Sequence, residues 1–255
     1  MGNGRSQRPD DWFRSPLGRA VLAAERLVLR RILKKRSGFH ELVVGNWGGA
    51  DRDWLTGSRV AHRLFITRGA GGGVRARPEA LPIESGSVDV VVLPHVLEYA
   101  ENPHAVIRET HRVLVPEGHV VLLGFSRFSL WGLRDLFRPV AYPWGARLLA
   151  ETRIGDWIRL LDMEVIAVER YFYRPPTDRP RLLQATRLLE RWGQSSWPGP
   201  WPSAGYAALV RKRSLGSSVI EPESSARRVL SRTPAVAAGR TCAARKQTRK
   251  EHELG

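Results

Sequence analysis

Three glycines in five residues, Gly45-Asn46-Trp47-Gly48-Gly49, follow the apolar run "ELVV" and form the first place where this chain could do chemistry. Glycine lets backbone amides come close to a ligand, so such a turn after a strand can cradle polar groups. Trp47 is the unusual member, read here as a packing residue, with a stacking partner or plug of the same pocket as the alternative. A second candidate group follows the run "VDVVVLP": His95 could serve as a general base at neutral pH, with Glu98 three residues on. The competing reading of His-x-x-Glu is a helix-start element.

Elements that would position these groups are legible in the pattern. "SPLGRAVLAAERLVLRRILKKR", residues 15–36, has a serine cap, proline at the first helical position and apolar Leu17, Val21, Leu22, Leu29, Ile32 and Leu33 at helical spacing. Its basic last turn complements the helix dipole; core packing is the favoured use of the helix, an acidic membrane surface or nucleic acid the others. Short apolar strands then alternate with helices, the pattern of a parallel sheet covered on both faces. Strands are expected at 41–45, 62–67, 73–77, 88–94, 116–126, 163–173 and 204–213, and helices at 102–114, 152–162 and 179–193. The final strand is expected to insert antiparallel. "WGQSSWPGPWP", residues 192–202, reads as a rigid loop over the sheet edge, or else as a lid for an acceptor.

Composition limits the alternatives. The 255 residues carry a formal charge of +16, of which residues 211–255 hold +7 and the remainder +9. Anionic partners are favoured by that charge, and nucleic acid is possible without being demanded. The one cysteine, Cys242, excludes an intrachain disulfide framework and a cysteine-rich metal site. No run reaches the 18 apolar residues of a membrane span, and a cytoplasmic location is expected. Three regions follow: a leader with a basic amphipathic helix (1–37), one α/β domain (38–213) and a disordered basic tail (214–255).

Residues 80–126, "ALPIESGSVDVVVLPHVLEYAENPHAVIRETHRVLVPEGHVVLLGFS", resemble the central block of class I S-adenosylmethionine-dependent methyltransferases of the type 11 group. A Leu-Pro-apolar turn, a Val-Asp-apolar strand, a His-x-Leu-Glu segment, a helix ending Arg-Val-Leu and a Pro-Glu-Gly before the next strand carry the likeness. It implies a Rossmann-like α/β fold, a mostly parallel seven-stranded sheet flanked by helices with the last strand antiparallel. It also implies S-adenosylmethionine as cofactor. Contacts to the cofactor would come from Gly45, Asn46 and Gly48 after the first strand and Thr67 after the second. Glu79, Ala80 and Leu81 in the next turn, and Pro94 and His95 after the fourth strand, would complete them. Glu98, Trp131 and Arg134 would face an acceptor that the sequence does not identify. Methyl transfer needs alignment more than a dedicated nucleophile, so His95 is the one candidate for catalysis.

This chain departs from the family pattern at three anchors. No acidic residue precedes Gly45, Thr67 and Arg68 stand where a carboxylate would hold the ribose hydroxyls, and Arg77 replaces the aspartate that would meet the adenine. The alternative to an enzyme is therefore a non-catalytic binding or regulatory module on the same fold. An open crevice between residues 45–49 and 93–98 would favour the enzyme. One filled by Trp47, or crossed by Arg68 and Arg77, would favour the module.

Overall fold

The strand Val88–Pro94 (β4) lies at the centre of the sheet, and its apolar run Val90–Pro94 is the reason: in a parallel sheet both faces are covered, so alternation gives way to continuous burial. The computed structural model describes residues 15–45, 47, 58–68, 73–127, 129, 131–132, 147–177, 179, 181, 185–186 and 203–214. Residues 1–14, 192–202 and 215–255 and most of the expected helix 179–193 lie outside them, as do Asn46, Gly48, Gly49 and Arg134.

Around β4 the strands are Ser37–Val44 (β1), Arg59–Thr67 (β2), Val74–Arg75 (β3), Leu114–Phe125 (β5), Met163–Tyr171 (β6) and Gly205–Lys212 (β7). Their order is β3-β2-β1-β4-β5-β7-β6, with every neighbouring pair parallel except the two that involve β7. The seven-stranded sheet and its antiparallel last strand are as expected from the sequence. Three strands start earlier than their apolar runs, β2 among them at Arg59. β1 begins at Ser37 because Asp89 Oδ2 accepts hydrogen bonds from the backbone N–H groups of Phe39 and His40, each 2.9 Å, holding an exposed half-strand in the ladder. β5 begins at Leu114, directly after its helix, and absorbs the Pro-Glu-Gly turn as an irregularity with Glu117 at φ 62°.

Helices cover both faces. Pro16–Leu33 (α1) starts where the sequence predicts: Ser15 Oγ accepts from Gly18 N at 3.0 Å, and Pro16 takes the first position, where its missing N–H costs nothing. Its six expected apolar residues are all buried, in one core layer with Val43, Val90, Val92, Val121 and Leu123. Val96–Tyr99 (α2), Pro103–Val113 (α3) and Glu151–Leu160 (α4) line the other face, packing on Leu42, Val44, Val91, Leu93 and Leu122. Asn102 caps α3 by accepting from Ala105 N at 3.1 Å. Each fully buried Val, Leu or Ile contributes roughly 1.5–3 kcal/mol, so α1 is held by its apolar stripe.

Candidate functional site

The chain reverses its winding direction between β1 and β4, and in open α/β sheets the crevice beyond the carboxyl ends of such strands is where ligands bind. Gly45 closes β1 at φ 104°, a conformation that side-chain-bearing residues rarely adopt, and donates its N–H to Ile66 O at 2.7 Å. A Cβ there would lie 3.1 Å from Val96 Cγ2, so the turn is tight against α2 as well. Pro94 is buried at the facing end of β4.

His95 follows in the left-handed region, φ 55° and ψ 15°, and is fully buried. Its Nδ1 lies 2.8 Å from Glu98 Oε2 and its Nε2 3.0 Å from Glu25 Oε1, the latter reaching down from α1. Glu25 also accepts from the Tyr171 hydroxyl at 3.0 Å and from the Trp47 indole N–H, while Glu98 accepts from the Phe125 backbone N–H. Trp47 stacks over the imidazole with ring centroids 3.9 Å apart, and Phe125 packs on it at 4.2 Å. Every polar atom of the two carboxylates thus has a donor, the condition for burying charge.

Burial opposes the positive charge of His95, but the carboxylates of Glu98 and Glu25 outweigh it and raise the imidazole to about 9. Burial likewise pushes Glu98 upward against the pull of His95, and burial together with Glu25 holds the Tyr171 hydroxyl protonated. His95, the expected candidate for a general base, thus has each ring nitrogen within hydrogen-bond distance of a carboxylate and Trp47 over its ring. Glu98 faces this cluster. Trp131, expected near an acceptor, is buried too: its Nε1 donates to Arg174 O at 3.0 Å and its rings contact Phe125 and Phe172.

Sequence reasoning missed Glu25 and Tyr171. The signal for Glu25 was present, because it lies on the apolar stripe between Leu22 and Leu29, and an acid on the buried face of a helix needs a partner. Tyr171 reaches Glu25 because its ladder neighbour is Gly205, itself paired on the other side with Phe125. A Cβ on Gly205 would sit 2.5 Å from the Tyr171 ring.

At the other side of the crevice Thr67 ends β2, buried. Arg68 Nη2 donates to both oxygens of Glu79, 2.7 and 2.8 Å, and Nη1 lies 3.8 Å from Glu101. Burial would raise the Glu79 carboxyl, but Arg68 and the backbone donors more than offset it and hold it below its ordinary value. Ala80 N donates to Arg77 O at 3.1 Å, closing the turn that carries Glu79. Leu81 is buried, with its N–H on Glu109 and its carbonyl on Arg112. Arg68, Arg75, Ala76 and Arg77 line an open concavity of about 420 Å³.

A family model described as "Methyltransferase domain" matches residues 59–122. The uncharacterized protein YafS of Escherichia coli is 34% identical over 171 residues, 66% of this chain and 70% of that protein. The malonyl-[acyl-carrier protein] O-methyltransferase of Laribacter hongkongensis is 31% identical over 134 residues, 52% of this chain and 42% of its own length. Among solved structures, an S-adenosylmethionine-dependent methyltransferase of Thermotoga maritima, described as a possible histamine N-methyltransferase, superposes with a TM-score of 0.57 at 14% identity, covering 80% of this chain and 93% of that one. The fold is therefore that of the class I methyltransferases. The chain belongs to one family with YafS, and its residues 59–122 match the methyltransferase-domain model.

Proposed function

We propose that the protein transfers a methyl group from S-adenosylmethionine to an anionic, carboxylate-bearing acceptor. The observation that carries this reading is the pairing, at one crevice, of the Gly45 turn with the Glu25–His95–Glu98 cluster. The cofactor supplies a methyl group on a positively charged sulfur that is already a good leaving group. The carboxylates of Glu25 and Glu98 and the rings of Trp47 and Phe125, gathered about His95, suit such a cation. Gly45, Thr67, Leu81 and Pro94 are the described residues that would hold the rest of it. Glu25 and Glu98 orient His95, and His95 fixes the turn between β4 and α2; these are positioning residues. The +9 charge outside residues 211–255 and the O-methylating relative support the acceptor class.

A second reading, a non-catalytic binding module, is favoured by Trp47 lying over His95 and by the Arg68–Glu79 pair across the place of the missing carboxylate. Calorimetric titration with S-adenosylmethionine and S-adenosylhomocysteine separates the two. Saturable micromolar binding, lost in Gly45→Val, supports methyl transfer and leads to acceptor trials that begin with acyl-carrier carboxylates. No heat up to millimolar cofactor leaves the binding module as the reading.

A further inference from the structure

We propose that the concavity formed by Arg68, Arg75 and Arg77 is a binding site for a phosphomonoester dianion, carried on the ribose of an adenosine or free as phosphate. The inference rests on the fold and on the location of the ligand crevice. It does not require that methyl transfer occur.

The register of the sheet brings the three guanidinium groups together. Thr67 pairs with Arg75 in the parallel ladder of β2 and β3, and Ala76 N donates to Thr67 O at 3.1 Å just beyond it. Arg68 therefore leaves β2 beside the point where Arg75, Ala76 and Arg77 leave β3, and all four line one hollow. Arg68 is held by Glu79 through two short hydrogen bonds, which fixes it at the rim. Arg75 and Arg77 have no carboxylate partner among the described residues and are exposed to the hollow's solvent.

The charge is unbalanced. Three arginines stand against the carboxylate of Glu79, leaving +2, or +1 when the mostly exposed Glu101, 3.8 Å from Arg68, is included. A planar guanidinium offers paired N–H donors that match phosphate geometry, and clustered arginines on a concave surface are suited to a dianion. The position in the fold narrows the ligand further. At the end of the second strand of nucleotide-binding α/β folds an acidic residue accepts from ribose hydroxyls, and a nearby arginine in its place accommodates a ribose that carries a phosphate. Here the strand ends Thr67-Arg68, without the acid.

The test is calorimetric titration of the full chain at low ionic strength with inorganic phosphate, adenosine, adenosine 2′-phosphate and adenosine 3′-phosphate. Arg75→Ala and Arg77→Ala would be run beside it, with circular dichroism to confirm that both variants are folded. The expected result is that at least one phosphate-bearing probe binds tenfold or more tightly than adenosine, and that either variant weakens it by tenfold or more. Tighter binding of an adenosine phosphate than of inorganic phosphate assigns the site to a ribose-borne group; equal binding assigns it to the free anion. Phosphate-bearing probes that bind no better than adenosine, or binding unchanged in both variants, would overturn the proposal. Binding of S-adenosylmethionine, measured separately, reports on methyl transfer alone, so the two readings fail independently.

Discussion

Glu25 on α1 and His95 at the end of β4 lie 3.0 Å apart, carboxylate to imidazole, though 70 positions apart in the sequence. The contact ties the helix that precedes the sheet to the strand end at its centre. Because Glu25 accepts from three different side chains at once, it is the node of the site.

Truncation of that node should be costly. In Glu25→Ala, His95 Nε2, the Tyr171 hydroxyl and the Trp47 indole N–H lose their acceptor. Breaking a buried charge pair from one side costs about 3–5 kcal/mol, and urea denaturation should register a loss of that size. Glu25→Gln keeps one acceptor oxygen and should lose less. Equal stability of both variants and the parent would remove Glu25 from its assigned role.

Stability should depend on pH through His95. Its folded value, about 9, is raised above an ordinary histidine value of 6.5 by Glu98 and Glu25 against the opposing effect of burial. A raised group binds its proton more tightly when folded, so its contribution is complete below about pH 6.5 and fades as pH climbs through about 9. A shift of this size corresponds to roughly 3 kcal/mol. Denaturation midpoints measured from pH 6 to 10 should fall with rising pH, and His95→Gln should flatten that slope. A slope identical in parent and variant would contradict the assignment.

Trp47 contributes both a ring and a donor, and two substitutions separate them. Trp47→Phe retains a ring over His95 but withdraws the indole N–H from Glu25; the expected cost is about 1–3 kcal/mol, that of a buried acceptor losing a donor. Trp47→Ala also opens a cavity and should cost about 3–5 kcal/mol. Were Trp47→Ala to be as stable as the parent, the ring would not be part of the core. A rise in affinity for S-adenosylmethionine in that variant would mark Trp47 as an obstruction over the crevice.

Gly205 makes room for Tyr171, and a double-mutant cycle tests whether that is its purpose. Gly205→Ala places a Cβ 2.5 Å from the Tyr171 ring, an overpacking that typically costs about 1–3 kcal/mol. Tyr171→Phe removes only the hydroxyl that binds Glu25. If the ring is displaced in Gly205→Ala, that bond is already lost and the two effects should sum to more than the double variant shows. Strict additivity would mean that the ring stays in place.

Much of the fold was legible because local pattern and tertiary role agree. β4 spans the same seven residues in sequence and structure, the caps Ser15 and Asn102 stand where expected, and the apolar stripe of α1 is the buried one. The strand starts of β1, β2 and β5 were less legible, since their polar halves are held by ladder partners and by Asp89 instead of by burial of their own side chains. At the site, residue types near His95 were legible and their use was not. Whether a histidine is a base depends on what faces its second nitrogen, and the group that does so, Glu25, is on another element. The space left by Gly205 is invisible for the same reason, being defined by strands β5 and β6 on either side.

The arrangement of α1 also sets an order of assembly. Its Glu25 leaves the ribosome well before His95 and Glu98, and longer still before Tyr171, so during synthesis an acid on an otherwise apolar helix face waits for its donors. Contacts this distant in sequence require loop closure before they reward the chain. The first described helix to be made is thus among the last to be fully bonded, and the ligand edge matures only when the seventh strand has entered the sheet, because the sixth joins through it.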